Sequence, residues 1–193
     1  MRNVQKTFRS ISQKGLTFIE LIAGLGITSA LTVMAIPSFD ALTPGSEAEV
    51  VISSLSQDIE FAKTAAVSNN AKVTLCNSAD ASSCNGDWND GWLVFIDNNG
   101  DRKVSEDDVV LRTGSKAAGT KVFMKSSIKH SVQFNAQGFA SNTATYQVCN
   151  EALRAEEAHG LIINRSGLTL AANDSNGDSI RENHDQTPFT CQG

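Results

Sequence analysis

Several motifs that mark common enzyme and binding classes are missing from this 193-residue sequence. It contains no Gly-x-Ser-x-Gly nucleophile elbow, no Walker A loop and no dinucleotide fingerprint. Its four cysteines include no Cys-x-x-Cys pair and its three histidines show no ligand spacing, which argues against a zinc centre. A formal net charge of −5 excludes a nucleic-acid binder that relies on overall basicity. Nothing therefore indicates an enzyme, and no cofactor is predicted.

Charge and hydropathy divide the chain into parts. Residues 1–15 contain basic residues and no acidic residue, whereas the remainder holds 12 basic and 21 acidic residues. Residues 16–39 then form an apolar run with a single charge, Glu20. As a helix this run is about 36 Å long, which is enough to cross a hydrocarbon core of about 30 Å. The positive-inside rule places the basic segment in the cytoplasm and the acidic remainder outside it.

The junction between these parts carries a specific motif. Residues 14–21 read Lys-Gly-Leu-Thr-Phe-Ile-Glu-Leu, and this segment resembles the processing site of type IV prepilins and type II secretion pseudopilins. The resemblance implies cleavage after Gly15 by prepilin peptidase and N-methylation of the new terminus, Leu16, where many family members have Phe. It implies a leader peptide at 1–15, a transmembrane and filament-core helix at 16–39, and a periplasmic or extracellular head at 40–193.

Glu20 separates this interpretation from simpler ones. The apolar run is too long for an ordinary signal peptide, and a plain signal anchor leaves Glu20 unexplained. A carboxylate inside a membrane helix is unfavourable by several kcal/mol unless it is paired or near the interface. The amine of Leu16 in a neighbouring subunit can supply that pairing, so we interpret Glu20 as an assembly residue that sets axial register. Pro37 is expected to kink or locally melt the helix.

The rest of the chain predicts an α+β head. Residues 40–45 look like a flexible joint, and residues 47–69 form a helical pattern whose apolar stripe includes Val50 and Phe61. Short alternating segments then predict strands at 72–76, 91–97, 109–112, 121–125, 131–135, 145–149 and 160–164. The expected architecture is a type IV pilin-like fold, in which a long N-terminal helix, with its first half in the membrane, packs on antiparallel sheet.

The head sequence adds a second resemblance. Residues 57–66 and 73–76 look like the helix and first strand of GspH/FimT-type heads, and residues 88–97 resemble that family's W-x-x-G-W-x-V-F-x-D strand. The resemblance implies a minor type IV pilin that is incorporated into a pilus or primes its assembly. The alternative is a GspH-type minor pseudopilin of a type II secretion system. The implied partners are other pilin or pseudopilin subunits, the processing enzyme and an inner-membrane assembly platform, for a single-pass protein of the inner membrane.

A DNA-binding minor pilin for natural transformation is a further alternative. Some FimT-like proteins carry a C-terminal G-R-x-R motif, whose counterpart here is residues 166–170. Both motif arginines are missing, and Arg165 is the nearest cation in the sequence. Lysines 116, 121, 125 and 129 form a loose basic run that is more typical of a solvated face. Nucleic acid is therefore the less favoured partner.

The cysteines are expected to be oxidised in an exported head. Three pairings are possible, and we favour Cys76 with Cys84, closing a short loop, and Cys149 with Cys191, attaching the C-terminal tail to a strand.

Two acidic segments suggest turns with some calcium-loop character. Asp97, Asn99 and Asp101 supply oxygen ligands at alternate positions, but Arg102 stands where a calcium loop needs glycine. Residues 174–178 form a second, similarly incomplete cluster. An acidic turn between strands is the favoured interpretation, and a weak extracellular Ca²⁺ site is the alternative.

Overall fold

The computed structural model describes residues 17–35, 43–115, 120, 122–150 and 154–191. The chain divides into two compact units, Met1–Ala41 and Leu42–Gly193. In the first unit the described element is helix α1 (Phe18–Ala35), and in the second a long helix lies with two β-sheets.

Helix α2 (Thr43–Asn69) is the spine of the second unit. It begins four residues before the predicted start, so the expected joint at 43–45 is wrong, while residues 40–42 lie outside the described residues. Pro44 is compatible with this start because the first-turn amides of a helix have no intrahelical acceptor. The helix ends where Asn70 adopts a left-handed conformation with φ of 49°, which confirms the predicted end.

One face of α2 supplies the centre of the core. Its buried apolar residues recur at helical spacing: Ala48, Val51, Ile52, Leu55, Ile59, Ala62, Ala65 and Ala66. Two members of the predicted stripe differ. Val50 is exposed because Val51 takes the inward position, and Phe61 is half-buried at the edge of the core.

Two four-stranded antiparallel sheets pack with α2. The first has the order β3-β2-β1-β5, built from β1 (Val73–Asn77), β2 (Trp92–Ile96), β3 (Val109–Gly114) and β5 (Ser131–Phe134). The second has the order β4-β6-β7-β8, built from β4 (Val122–Ser126), β6 (Ala144–Asn150), β7 (His159–Ile163) and β8 (Thr169–Ala171). A 3₁₀ turn, Ala155–Glu157, lies between β6 and β7. All seven predicted strands are confirmed to within two residues, whereas β8 was not predicted.

Alternation along the strands buries both faces of the first sheet. Leu75 and Val94 point into the main core with α2. Their neighbours Cys76, Leu93 and Phe95 form a second cluster on the opposite face, together with Cys84 and Val104 from the covering loops. The loop regions are therefore part of the packed structure and not additions to its surface.

The C-terminal tail covers the outer face of the second sheet in the same way. Phe189 packs with Cys149 and Cys191 in a separate apolar cluster. Its ring lies directly over Gly160, where a Cβ atom would collide with it. The tail was expected to be a loop held by Cys191, and the structure shows it anchored at several further points.

Candidate assembly site

The first turn of α1 forms a capping box around Glu20. The backbone N–H of Thr17 donates to Glu20 Oε2 at 2.9 Å, and the Thr17 hydroxyl donates to the same oxygen at 2.8 Å. In return the backbone N–H of Glu20 donates to Thr17 Oγ1 at 3.3 Å. This reciprocal arrangement satisfies two of the amides that the start of a helix leaves unpaired. The Glu20 carboxylate thus has a fixed position at the beginning of α1.

The surface that follows Glu20 is apolar and exposed. Every side chain described in α1, from Phe18 to Ser29, is exposed. Phe18 is 78% exposed and Ile27 is 63% exposed, values far above those of side chains in a packed core. A helix with this surface requires an apolar environment or partner helices.

Three parts of the predicted processing and membrane segment lie outside the described residues. They are Gly15, Leu16 and the segment 36–39, which includes Pro37. In the remaining, described part of the chain, no helix combines the length and the apolar character needed to cross a membrane. The roles of Gly15, Leu16 and Glu20 in processing and assembly stay predictions.

A buried polar cluster joins α2 to the first sheet. Asp58 of α2 accepts a hydrogen bond from Trp92 Nε1 at 2.7 Å and an ion pair from Arg112 at 2.8 Å. The Arg112 guanidinium also lies 4.1 Å from the centre of the Phe61 ring. Both tryptophans are buried, so the prediction that Trp88 and Trp92 pack the head is confirmed. The Asp58 cluster was not predicted, although acid and base on separate elements were visible in the sequence.

The two disulfides have the favoured pairing. Cys76 bonds to Cys84 across eight residues, and Cys149 bonds to Cys191 across 42 residues. Within the short loop, backbone amides of Ser82 and Ser83 and the Ser83 hydroxyl hold the pKa of the Asp80 carboxyl far below its usual range. The longer disulfide attaches the tail to β6, as expected.

The acidic turn at 97–102 is saturated by protein donors. Asp97 is fully buried. Its Oδ1 accepts from the Gly100 amide at 2.7 Å, and its Oδ2 accepts from Thr74 Oγ1 at 2.8 Å and Gln133 Nε2 at 2.7 Å. Asn99 and Asp101 accept backbone amides two residues ahead. These contacts favour the structural interpretation, and calcium binding by this turn stays a prediction.

The segment that corresponds to the G-R-x-R motif presents apolar side chains. Leu168 and Leu170 are each 48% exposed. Among the lysines of the predicted basic run, Lys116 and Lys121 lie outside the described residues. Lys125 donates to the Thr190 carbonyl at 3.3 Å, which directs it toward the tail. The described part of the chain thus offers no built phosphate site at these positions.

The α+β fold of this chain is a type IV pilin-like fold, as comparison with solved structures shows. The family model described as "Type II transport protein GspH" matches residues 51–167. No curated protein sequence matches the chain with significance. The structure is similar to two crystal forms of the type IV minor pilin FimU of Pseudomonas aeruginosa. Their TM-scores are 0.54 and 0.50, with 18% and 20% identity, over 79% and 76% of this chain and 98% of each FimU chain.

The minor pseudopilin EpsH of the Vibrio cholerae type 2 secretion system also matches. Its TM-score is 0.46 with 8% identity, over 65% of this chain and 95% of EpsH. Because the family model spans more than half of the chain, the chain belongs to the GspH family. The likeness to FimU is a likeness of fold.

The sequence motifs did not mark one buried acidic residue of the tail, Glu182, as a candidate ligand. Glu182 is 4% exposed and lies with Asp174 and Asp178, so that one carboxylate oxygen from each falls within 4.8 Å of the others. The run Asp-x-Asn-x-Asp-x-x-x-Glu at 174–182 was a visible signal.

Proposed function

We propose that this chain is a minor type IV pilin, processed after Gly15 and assembled through α1 into the filament. The observation that carries the proposal is the exposed apolar surface of α1 with Glu20 fixed at its start. A lone carboxylate beside such a surface needs a positive partner once the helix enters an apolar environment. The N-terminal amine of a neighbouring processed subunit is a partner of the required charge.

Within the capping box Glu20 can both cap the start of α1 and pair with a neighbouring subunit. The hydrogen bonds from Thr17 use Oε2, and they hold the carboxylate close to the N-terminal end of α1. A cationic amine from the next subunit would therefore meet a carboxylate already in place. A pre-positioned charge loses less conformational freedom on pairing, which favours a single register.

The head offers a further contact surface to neighbouring subunits. Phe139 and Leu168 are about half exposed, and each follows a glycine. The backbones of these glycines, Gly138 and Gly167, touch one another. Exposed apolar side chains on adjoining loops are typical of protein contact sites. We assign the chain a structural role with no catalytic activity of its own, as a substrate of the peptidase that also methylates it.

Resemblance of the head to FimU over nearly the whole FimU chain supports the pilus assignment. The competing assignment, a minor pseudopilin of a type II secretion system, is supported by the description of the matching family. In both, the subunit would be anchored in the inner membrane before assembly.

A deletion strain distinguishes the two assignments. The chain is deleted in frame in the native bacterium, in a background that cannot retract pili, and surface filaments and exoprotein secretion are measured together. We expect few or no filaments and normal secretion. Normal filaments with trapped exoproteins would instead place the chain in the secretion pseudopilus.

Complementation tests the assembly residue. Glu20→Ala should restore membrane insertion but not incorporation into sheared filaments, whereas Glu60→Ala, an exposed glutamate of α2, should restore both. Normal recovery of Glu20→Ala subunits from filaments would contradict the register role. Gly15→Ala should leave the chain at its unprocessed mass, and an unchanged mature mass would remove the prepilin interpretation.

A further inference from the structure

A loop in the C-terminal tail, residues 173–182, brings three carboxylates together. Its ends are joined because the Glu182 amide donates to the Asn173 carbonyl at 3.1 Å. Within the loop, carboxylate oxygens of Asp174, Asp178 and Glu182 lie within 4.8 Å of one another. Three carboxylates at this spacing repel each other unless a cation or protons intervene.

The buried member of the group supplies an independent observation. Glu182 Oε2 accepts a hydrogen bond from the Ser175 amide at 2.8 Å, so the carboxylate faces the loop. Its Oε1 is buried and has no hydrogen-bond donor. A buried carboxylate oxygen without a donor is unfavourable, because it has lost its hydrogen bonds to water and gained none from the protein. A buried, donor-less oxygen thus belongs to the same carboxylate that lies within 4.8 Å of the other two.

No basic side chain of the described residues forms an ion pair with this group. The ion pairs in that part of the chain involve Asp58, Glu157 and Asp185 instead. Arg181, adjacent to Glu182 in sequence, donates to the Ala158 carbonyl at 2.7 Å. Asp174 and Asp178 accept loop amides, but no positive side chain of the described residues pairs with the group, so a neutralising cation would come from outside the protein.

The donor set identifies the class of cation. Asp174, Asn176 and Asp178 alternate along the loop, Glu182 follows four residues later, and the carbonyl of Ile180 falls between them. Carboxylate, amide and carbonyl oxygens from a flexible loop suit Ca²⁺, whereas Mg²⁺ prefers few protein ligands and retained waters. Neither thiolate nor imidazole is present, which disfavours zinc and copper.

We propose that Asp174, Asp178 and Glu182 bind one Ca²⁺ ion, with Asn176 and the Ile180 carbonyl as additional ligands. The site lies beyond the residues matched by the family model, and it holds for either a pilin or a pseudopilin. Its position next to the anchor points of the tail, including Phe189, means that bound Ca²⁺ stiffens the covering of the second sheet.

Thermal unfolding of the full chain in detergent micelles tests the site. Both tryptophans lie in the head, so their fluorescence follows its unfolding. Extracellular calcium modules bind with Kd of about 0.1–1 mM. At Ca²⁺ ten times Kd, we expect the Tm of the wild type to rise by about 3–6 °C over the value in EDTA.

Variants assign that response to the site. Glu182→Gln and Asp178→Asn should each raise the Kd at least tenfold, while Asp101→Asn, in the other acidic turn, should leave it unchanged. In EDTA, Glu182→Gln should unfold at or above the wild-type Tm, because it removes a buried charge. Should Glu182→Gln fail to fold, the exposed Asp178 carries the same test.

Several results would overturn the proposal. One is the absence of a saturable Tm shift with Ca²⁺ up to about 10 mM, a concentration above the range of extracellular modules. Another is a wild-type response in Glu182→Gln or Asp178→Asn, and a third is an equal loss of response in Asp101→Asn.

Discussion

Replacing Asp58 tests whether the polar cluster between α2 and the first sheet holds them together. Its side chain is 9% exposed, and it accepts Trp92 Nε1 and the Arg112 guanidinium on separate oxygens. In Asp58→Ala both donors lose their acceptor at once. The two losses differ in size because the two donors differ in exposure.

Trp92 dominates the expected effect. It is 1% exposed, so its indole N–H has no access to water once the carboxylate is removed. Leaving such a donor unpaired costs about 1–3 kcal/mol. The side chain of Arg112 is 43% exposed and can turn to water, so loss of its ion pair adds at most about 1 kcal/mol. Together these effects predict a loss of about 3 kcal/mol, or about 6–12 °C in Tm for a chain of this size.

The assay is tryptophan fluorescence during thermal and denaturant unfolding of the full chain in micelles. Asp58→Asn keeps an oxygen for Trp92 and removes the charge that pairs with Arg112, so it should lose only about 1 kcal/mol. Glu60→Ala, on the exposed side of α2, should stay within about 0.5 kcal/mol of the wild type. A Tm change under about 2 °C for Asp58→Ala, where about 3 kcal/mol predicts 6–12 °C, would refute the reasoning. Equal damage from Asp58→Asn would show that the charge, and not the tryptophan, dominates.

Three further changes test other parts of the head. Tyr146→Phe should leave Tm unchanged or raise it, because the tyrosine hydroxyl is buried without a partner in the described residues while its ring packs edge-on against Trp88; a clear loss of stability would contradict this. Gly160→Ala should lower stability by about 1–3 kcal/mol and hasten proteolysis of the tail, because a Cβ atom there collides with Phe189. A tail that stays protected from proteolysis in this variant would argue against that packing. Burial and the nearby Arg181 charge lower the pKa of His159 below 6.5. As the pH falls, His159 is protonated in the unfolded chain before it is protonated in the folded one. The contribution of His159 to stability should therefore be full above pH 6.5 and fall as the pH drops below it, and His159→Gln should flatten this dependence.

The positions of the elements could be predicted from sequence because local signals and tertiary packing agree there. The seven predicted strands alternate and are bounded by turn residues, and the Asn70 stop of α2 has a direct conformational cause. β8 (Thr169–Ala171) has only three residues and no buried side chain of its own, so no alternation could reveal it. The start of α2 was misplaced because Pro44 and Gly45 signal a turn in isolation, yet both are accepted in a first helical turn.

Some residues of the candidate site can likewise be recognised from local sequence, and others cannot. Glu20 could be proposed as a candidate because its charge contrasts with its apolar surroundings along the sequence itself. The Asp58 cluster could not, because its partners Trp92 and Arg112 lie 34 and 54 residues away. Pairing at that separation depends on the sheet order, which the sequence does not state.

Two turns of nearly equal sequence show how tertiary neighbours decide chemistry. Residues 97–101 read Asp-Asn-Asn-Gly-Asp and residues 174–178 read Asp-Ser-Asn-Gly-Asp, and both turns fold their side-chain oxygens onto their own amides. In the first turn, Gln133 of strand β5 donates to the buried Asp97, so both oxygens of that carboxylate have protein donors. In the second turn the added group is the buried Glu182 at the end of the same loop, which brings another acceptor in place of a donor. A local motif thus becomes a structural turn or a cation site according to whether the fold adds hydrogen-bond donors or further carboxylates to it.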